Sequence, residues 1–244
     1  MIRALALLAL LALGSQAAAV DCRNVTFEGE DYAVCEADMA TADLRLFLND
    51  ARGDRLGQFG AVDAMLAGEG RRLAFAMNAG MYHSDRAPVG LYIENGQQIA
   101  PLVPGAGPGN FGMVPNGVLC LRPGRAEVIE TREFARRRPA CTFATQSGPM
   151  LVIGGKLHPR FLPDSDSRYV RNGVGTTAEG TRALFAISRR AVTFHAFARL
   201  FRDHLDTPDA LYLDGSVSRL YAPDLGRSDL GFALGPMVGL VVAE

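Results

Sequence analysis

The sequence has little excess charge of either sign and almost no lysine. Its 244 residues carry a formal net charge of −1 at pH 7, so no chain-wide attraction to nucleic acid or to anionic membranes is expected. Lysine occurs only at position 156 among 25 basic residues, so Schiff-base chemistry could use only Lys156. With 48% hydrophobic and 21% charged residues, the composition excludes a disordered, collagen-like or coiled-coil chain.

Long apolar runs are also missing, except near the N-terminus. Residues 4–13 read ALALLALLAL after the positively charged Arg3, and small residues follow at 17–19. A run this short is typical of a secretory signal peptide, with an uncleaved membrane anchor as the weaker alternative. We predict a signal peptide at residues 1–20, a single domain at 21–244, a periplasmic or secreted location and no stable membrane span after cleavage.

The sequence has no CxxC pair, and its isolated cysteines do not resemble a zinc site. An even number of cysteines in an exported chain predicts two disulfides, for which three pairings exist. We favour the pairs that close short loops, Cys22–Cys35 and Cys120–Cys141. The alternative for Cys120 is a buried free thiol, because it lies in an apolar run.

Alternating polar and apolar residues dominate the chain and predict β-strands. We predict strands at 42–49, 73–77, 182–188 and 210–213, a final central strand at 232–243 and a short helix at 58–66. Hairpins are predicted at 90–102 turning at Asn95-Gly96, at 117–130 turning at Pro123-Gly124, and at 146–158 turning at Gly154-Gly155.

The last third of the chain predicts a strand–helix–strand unit. Thr193 is placed to cap a helix whose apolar residues share one face, between the strands at 182–188 and 210–213. The resulting fold class is α+β: a mixed, largely antiparallel β-sheet built from hairpins, with helices packed on it and one βαβ crossover near the C-terminus.

Five polar clusters that contain glycine lie at the ends of apolar strands. They occupy residues 78–83, 115–117, 146–149, 171–175 and 213–216. Glycine lets a backbone approach a ligand closely, and a polar side chain at a strand end is held rigidly. Although Asn-Gly and Asp-Gly are also ordinary turns, five such clusters predict a shared site.

Other signals are weaker. Residues 107–112 match GxGxxG by letter, but the strand before and the helix after are missing, so dinucleotide binding is not predicted. A serine hydrolase could combine Ser147 or Ser216 with His83, His158 or His195, but no GxSxG elbow supports it. Asp164, Asp166 and Asp214 carry oxygen donors, yet no spacing demands a metal. We predict neither a metal nor a cofactor.

Taken in order, the polar clusters resemble the phosphodiester glycosidase family, and most closely a bacterial branch of exported proteins. The resemblance covers about residues 32–242 and rests on the segments 77–82, 88–91, 115–118, 146–151, 171–175 and 213–216. That family shares its catalytic domain with the lysosomal enzyme that removes N-acetylglucosamine from phosphomannose tags. Two segments depart from the family pattern: Arg-Asn-Gly-Val-Gly replaces Arg-Thr-Ala-Ile-Gly at 171–175, and Leu-Asp-Gly-Ser-Val-Ser replaces Leu-Asp-Gly-Gly-Gly-Ser at 213–218.

The resemblance implies hydrolysis between the anomeric carbon of a sugar and a phosphodiester. Asp214 is then expected as the nucleophile, or as the base for a water, and Arg171 as the phosphate ligand. Substrate-binding roles are expected for Asn78, Tyr82, His83, Asn116, Gln146, Ser147, Asn172 and Ser216. The expected partner is a small carbohydrate or phosphoglycan substrate, with no nucleic acid.

Non-functional alternatives remain for these residues. Asp214 and Asn78 could be turn residues, and Arg171 could form a buried salt bridge with Asp164 or Asp166. The changes near Asp214 also leave a second function open, a non-catalytic periplasmic module that binds a glycan or phosphoglycan.

Overall fold

The computed structural model describes residues 20–107, 109–214 and 217–244. Residues 1–19 of the predicted signal peptide lie outside the described residues. The strands are β1 Val20–Phe27, β2 Glu30–Asp38, β3 Asp43–Phe47, β4 Arg71–Asn78, β5 Tyr92–Glu94, β6 Gln97–Ala100, β7 Gly117–Arg122, β8 Arg125–Glu130, β9 Phe143–Ser147, β10 Met150–Ile153, β11 Lys156–Leu157, β12 Asn172–Thr176, β13 Arg182–Ser188, β14 Asp209–Asp214, β15 Leu220–Ala222, β16 Arg227–Ser228 and β17 Met237–Ala243.

Short helices connect the strands. The α-helices are α1 Phe59–Ala67, α2 Thr131–Arg137 and α3 Phe194–Arg199, and α3 continues as a π-helical segment at Leu200–His204. Two 3₁₀ turns lie at Gly109–Gly112 and Pro223–Leu225. No helix in the described part of the chain is long and apolar enough to cross a membrane.

The strands form three sheets rather than one. Their strand orders are β1-β2-β13-β12-β14-β10-β11, β16-β15-β4-β17-β3 and β6-β5-β9-β7-β8. The first sheet contains the predicted crossover: β12 is antiparallel to both β13 and β14, so β13 and β14 run parallel and α3 connects them. The α+β class with largely antiparallel pairing is therefore confirmed.

The three sheets enclose a central apolar core, and one helix covers the outer face of each sheet. Alternation along β13 shows how the sequence encodes this arrangement. Phe185 and Ile187 face the central core, whereas Leu184 and Ala186 face the cluster that contains α3. Successive side chains of a strand point to opposite faces, so an apolar residue at every position indicates a strand buried on both sides.

Local signals in the sequence explain several elements. The hairpin between β5 and β6 turns at Asn95 and Gly96, whose φ angles of 52° and 76° are those that a two-residue turn of this kind requires. The hydroxyl of Thr193 accepts a hydrogen bond from the backbone N–H of Ala196 at 3.1 Å, which caps α3 as predicted. Both disulfides, Cys22–Cys35 and Cys120–Cys141, have the predicted pairing.

Two predicted elements are shorter than expected. The third hairpin begins at Met150 instead of Gln146, because the chain leaves the third sheet after Ser147 and enters the first. The last strand begins at Met237, and Phe232 lies in the preceding loop with 84% of its surface exposed. Gly235-Pro236 interrupts this apolar run, since proline cannot donate a hydrogen bond to a neighbouring strand.

Candidate active site

Strand ends from all three sheets meet at one end of the central core. Asn78 ends β4, Ser147 ends β9, Asp214 ends β14 and Asn172 begins β12. Asn78 is hydrogen-bonded to Asn172, and the hydroxyl of Ser147 donates to the carbonyl of Leu213 at 2.8 Å. The polar clusters that are far apart in the sequence are therefore gathered into one region, as their positions at strand ends predicted.

Asn78 and Asn172 form a pair of carboxamides between the first two sheets. Nδ2 of Asn172 donates to the backbone oxygen of Asn78 at 3.0 Å and to its Oδ1 at 3.1 Å. Oδ1 of Asn172 accepts from the backbone N–H of Asp214 at 3.0 Å, and Oδ1 of Asn78 accepts from that of Arg219 at 3.0 Å. Both asparagines are fully buried. Their amide groups thus hold the segment that carries Asp214.

The polar side chains of Gln146 and Ser147 also form hydrogen bonds to other groups of the protein. Oε1 of the Gln146 side chain accepts hydrogen bonds from the backbone N–H groups of Leu91 and Val103, both at 3.0 Å. Its Nε2 donates to the carbonyl of Val103 at 2.7 Å. Ser147 is fully buried. Its hydroxyl is directed to the backbone of β14, which does not favour Ser147 as the nucleophile of a serine hydrolase.

Asn116 adjoins the same region through Gly148. A Cβ added to Gly148 would lie 1.8 Å from Oδ1 of Asn116, so only glycine fits there. Nδ2 of Asn116 donates to the carbonyl of Phe111 at 2.8 Å. Asn116 therefore fixes the 3₁₀ turn that contains Phe111.

A cavity of about 470 Å³ lies at this end of the molecule. This volume is within the usual range for sites that bind small molecules. The lining residues are Met81, Tyr82, His83, Val89, Gly109, Asn110, Phe111, Asp214 and Val217. Three residues predicted from the sequence, Asp214, Tyr82 and His83, are thus brought together on its surface.

Asp214 is the carboxylate of the cavity. It is 9% exposed, and its backbone is held on both sides, by the N–H bond to Asn172 and by the hydroxyl of Ser218, which donates to its carbonyl at 2.8 Å. A carboxylate on a fixed backbone at the end of a central strand is well placed to act on a bound ligand.

Tyr82 lies beside Asp214. Burial raises the pKa of its hydroxyl, and the negative charge of Asp214 raises it further. Tyr82 therefore stays protonated at neutral pH and can donate a hydrogen bond. Its hydroxyl lies 3.5 Å from the carbonyl of Ala233, and a Cβ on Gly235 would lie 2.6 Å from its Cβ. Gly235 is thus required for the ring to occupy this position.

His83 begins a tight turn at the edge of the cavity. Its N–H donates to the carbonyl of Ala87 at 2.9 Å, and its carbonyl accepts from the N–H of Arg86 at 2.7 Å. Nε of Arg86 is buried and makes no hydrogen bond within the described part of the chain. The positive charge of Arg86 lowers the pKa of Tyr82, against the larger effect of burial. The turn thus places a positive charge near enough to Tyr82 to act on its pKa.

Residues 109–112 form a wall of the cavity that the sequence pattern did not indicate. They form a 3₁₀ turn, and Gly112 packs so tightly that a Cβ there would lie 2.4 Å from the carbonyl of Gly107. The GxGxxG match thus reflects close backbone packing. Asn110 and Phe111 of this turn line the cavity. Nothing in their sequence pattern distinguishes them from ordinary loop residues.

Arg171 is placed differently from the expectation. It is fully buried and does not line the cavity. Its guanidinium carbon lies 3.6 Å from the ring centre of Phe194, and Nε donates to the carbonyl of Val192 at 2.8 Å. Within the described residues it forms no ion pair, so the alternative of a salt bridge with Asp164 or Asp166 is not observed either. The charges of Arg171 and Asp214 both act on the pKa of Tyr212, which burial raises well above its ordinary value.

The remaining histidines and serine lie elsewhere. His158 is buried, with Nε2 lying 3.1 Å from the carbonyl of Val114 and Nδ1 accepting from the N–H of Arg160 at 3.2 Å. His195 belongs to α3, and Ser216 lies outside the described residues. Among the described residues, no group of three or more His, Cys, Asp or Glu side chains is gathered closely enough to hold a metal ion.

Comparison with known proteins agrees with this geometry. The family model of the phosphodiester glycosidases matches residues 71–229, more than half of the chain. The chain belongs to the phosphodiester glycosidase family. It is 35% identical over 218 residues to the uncharacterized protein YigE of Escherichia coli K12, with 89% of this chain and 83% of that protein covered.

Two solved structures share the fold. One is the catalytic domain of zebrafish N-acetylglucosamine-1-phosphodiester alpha-N-acetylglucosaminidase, auto-inhibited by its pro-peptide. The TM-score is 0.60 at 12% identity, with 91% of this chain and 81% of that chain covered. The other is a hypothetical protein from Synechocystis, with a TM-score of 0.58 at 13% identity. That match covers 91% of this chain and 61% of the other. Family and fold together support a glycosidase-type function.

Proposed function

We propose that this protein is an exported glycosidase that uses water to split the bond between a sugar's anomeric carbon and a phosphodiester. The observation that carries the proposal is the position of Asp214. Its carboxylate ends a central strand and lines a cavity of about 470 Å³, beside a protonated Tyr82 and the exposed His83. The family to which the chain belongs supports the same reaction class.

One carboxylate is sufficient for this leaving group. Ordinary glycosides need a second carboxylic acid, because an alkoxide leaves poorly unless it is protonated. A phosphate monoester is a stable anion and leaves without a proton from the enzyme. Asp214 acts on the anomeric carbon, as the nucleophile of a glycosyl-enzyme or as the base for water. The products are the free sugar and a phosphate monoester.

The phosphate needs a positive charge beside it, and the proposal gives two arginines different roles. We assign contact with the phosphate to Arg86, because it belongs to the turn that carries His83 and its positive charge acts on Tyr82 in the cavity. Arg171 was expected in this role, but its guanidinium is packed against Phe194. In this proposal Arg171 acts through the adjacent Tyr212, and its positive charge offsets the negative charge of Asp214.

The remaining cavity residues suit a sugar. The hydroxyl of Tyr82 and the amide of Asn110 can hydrogen-bond to sugar hydroxyls. Met81, Val89 and Phe111 offer apolar surface for the C–H faces of the ring. Asn78, Gln146, Ser147 and Asn172 then support the site by holding its backbone, because their polar atoms already bind protein groups.

An extracytoplasmic location completes the proposal. Two disulfides suit an oxidising compartment, and residues 1–20 have the sequence pattern expected of a signal peptide.

The test is hydrolysis of methyl phosphodiesters of glucose, mannose and N-acetylglucosamine, each linked through the anomeric carbon. Wild-type protein is expected to release reducing sugar from at least one of them, and Asp214→Asn to release none. Asp54→Asn is the matched control, because Asp54 is an exposed carboxylate in the loop between β3 and α1. Saturable binding without product in the wild type would contradict the proposal and support the glycan-binding module.

A further inference from the structure

Two large apolar side chains, two residues apart in the sequence, are exposed in the loop of residues 229–235, here called the apolar loop. Leu230 is 90% exposed and Phe232 is 84% exposed, more than any other exposed large hydrophobic residue in the described structure. Burying such a side chain is worth roughly 1.5–3 kcal/mol. Paired exposure at this level is typical of a surface that binds something apolar.

The apolar loop is held firmly in this exposed arrangement. Arg219 is 5% exposed, and its Nε and Nη2 donate to the carbonyl of Asp229 at 3.0 and 2.7 Å. Its Nη1 donates to the carbonyl of Phe232 at 2.9 Å. The N–H of Leu234 donates to the carbonyl of Gly57 at 2.8 Å. The side chains of Leu230 and Phe232 are therefore presented to solvent by a fixed backbone.

The apolar loop also forms part of the wall behind the cavity. Ala233 contacts the hydroxyl of Tyr82 through its carbonyl, and Gly235 packs against the Tyr82 ring. Val217, which lines the cavity, packs against the same apolar cluster as Leu234. The loop that carries Leu230 and Phe232 is therefore connected to the cavity through Tyr82.

We propose that Leu230 and Phe232 form a subsite for a hydrocarbon chain on the leaving group, so that the substrate is a sugar joined through phosphate to a long-chain alcohol. This inference rests on the proposed function. The anomeric C–O bond to phosphate breaks and the oxygen of water bonds to the anomeric carbon. One proton of water goes to solvent, and the alkyl phosphate leaves with the electron pair.

The size of the patch favours a single chain over a protein partner. Two such side chains expose at most roughly 400 Å². A stable protein–protein interface buries about 800 Å² on each partner. An alkyl chain needs only a narrow apolar strip, and Leu230 and Phe232 offer one in the same loop whose Ala233 and Gly235 contact Tyr82.

The test compares the methyl and dodecyl diesters of N-acetylglucosamine-1-phosphate, both below the micellar range. For the wild type, kcat/KM is expected to be about tenfold or more higher for the dodecyl ester, since tenfold corresponds to about 1.4 kcal/mol. The variant Leu230→Ser/Phe232→Ser should lose this preference and hydrolyse the methyl ester within about twofold of the wild type, because its changes are on the surface. Ile99→Ser, which alters a 49%-exposed residue on β6, should keep the preference.

Other outcomes separate the two proposals. Equal chain-length dependence in the wild type and the double variant would overturn the subsite. The subsite would also be overturned if sedimentation gave the double variant a lower molecular mass than the wild type, because the loop would then join two copies of the chain. If the wild type hydrolyses neither ester, the proposed function fails for this sugar. The subsite is then judged by calorimetry with dodecyl phosphate: binding that the double variant loses supports it, and binding that is unchanged or absent overturns it.

Discussion

Replacing Asn172 by alanine should destabilise the protein strongly, because its carboxamide joins two sheets and fixes Asp214. The change removes the partner of the Asp214 N–H and two bonds to Asn78, with distances of 3.0–3.1 Å. A buried polar group that loses its partner costs roughly 1–3 kcal/mol. Oδ1 of Asn78 keeps its bond from the Arg219 N–H, but Nδ2 of Asn78 loses its acceptor, Oδ1 of Asn172 at 3.3 Å. The three groups left without this partner are the Asp214 N–H, the Asn78 carbonyl and Nδ2 of Asn78. With some relaxation, the expected loss is about 4 kcal/mol in the free energy of unfolding.

Urea unfolding followed by far-ultraviolet circular dichroism measures this loss directly. For a domain of this size, each kcal/mol changes Tm by about 2–4 °C, so a fall of about 10 °C is also expected. Asn24→Ala is the matched control. Asn24 is exposed on β1 and accepts one hydrogen bond from Arg189 at 3.2 Å, and its loss should change stability by less than about 0.5 kcal/mol. A loss below about 1 kcal/mol for Asn172→Ala would refute the role of the paired amides.

Three further predictions follow from the same contacts. Burial lowers the pKa of His158 below the ordinary value of 6.5, so the unfolded chain binds the proton first. Stability should be full above about pH 6.5 and fall as the pH drops towards the folded-state pKa, and His158→Gln should flatten that slope in pH-dependent unfolding. Removing the Cys120–Cys141 disulfide, which spans 21 residues, should cost roughly 3 kcal/mol in a denaturation experiment; an unchanged midpoint would contradict this. Arg86→Gln should raise KM for a hydrolysed phosphodiester at least about tenfold, the effect of losing a charged hydrogen bond of about 1.4 kcal/mol or more, and Arg86→Lys should restore part of it.

The sequence predicted those features that depend on local chemistry. Asn95-Gly96 set a hairpin turn, and Thr193 capped a helix, because each signal needs only neighbouring residues. Alternation placed most strands, but it could not show that they divide into three sheets. That division depends on which edges pair across the chain, and the hairpin signals alone do not encode it. The apolar run from Phe232 was misleading, because hydrophobicity predicts burial and this loop is held outward by Arg219.

The candidate site was predictable only in part. Polar residues at strand ends were expected to share a site, and the structure gathers several of them in one region. The pattern could not show whether such a side chain lines the cavity, as Tyr82 does, or bonds to another strand end, as Asn78 does. Asn110 and Phe111 lacked a signal altogether, because loop residues reach a cavity through the path of the backbone and not through periodicity.

The most direct test of the account is the turnover of Asp214→Asn against a methyl sugar-1-phosphodiester that the wild type hydrolyses. The amide keeps the shape of the side chain but is neither a nucleophile nor a base. Activity should therefore disappear while the unfolding midpoint stays close to that of the wild type and Asp54→Asn stays active. Hydrolysis by Asp214→Asn at the wild-type rate would contradict the assignment of Asp214 and, with it, the proposed mechanism.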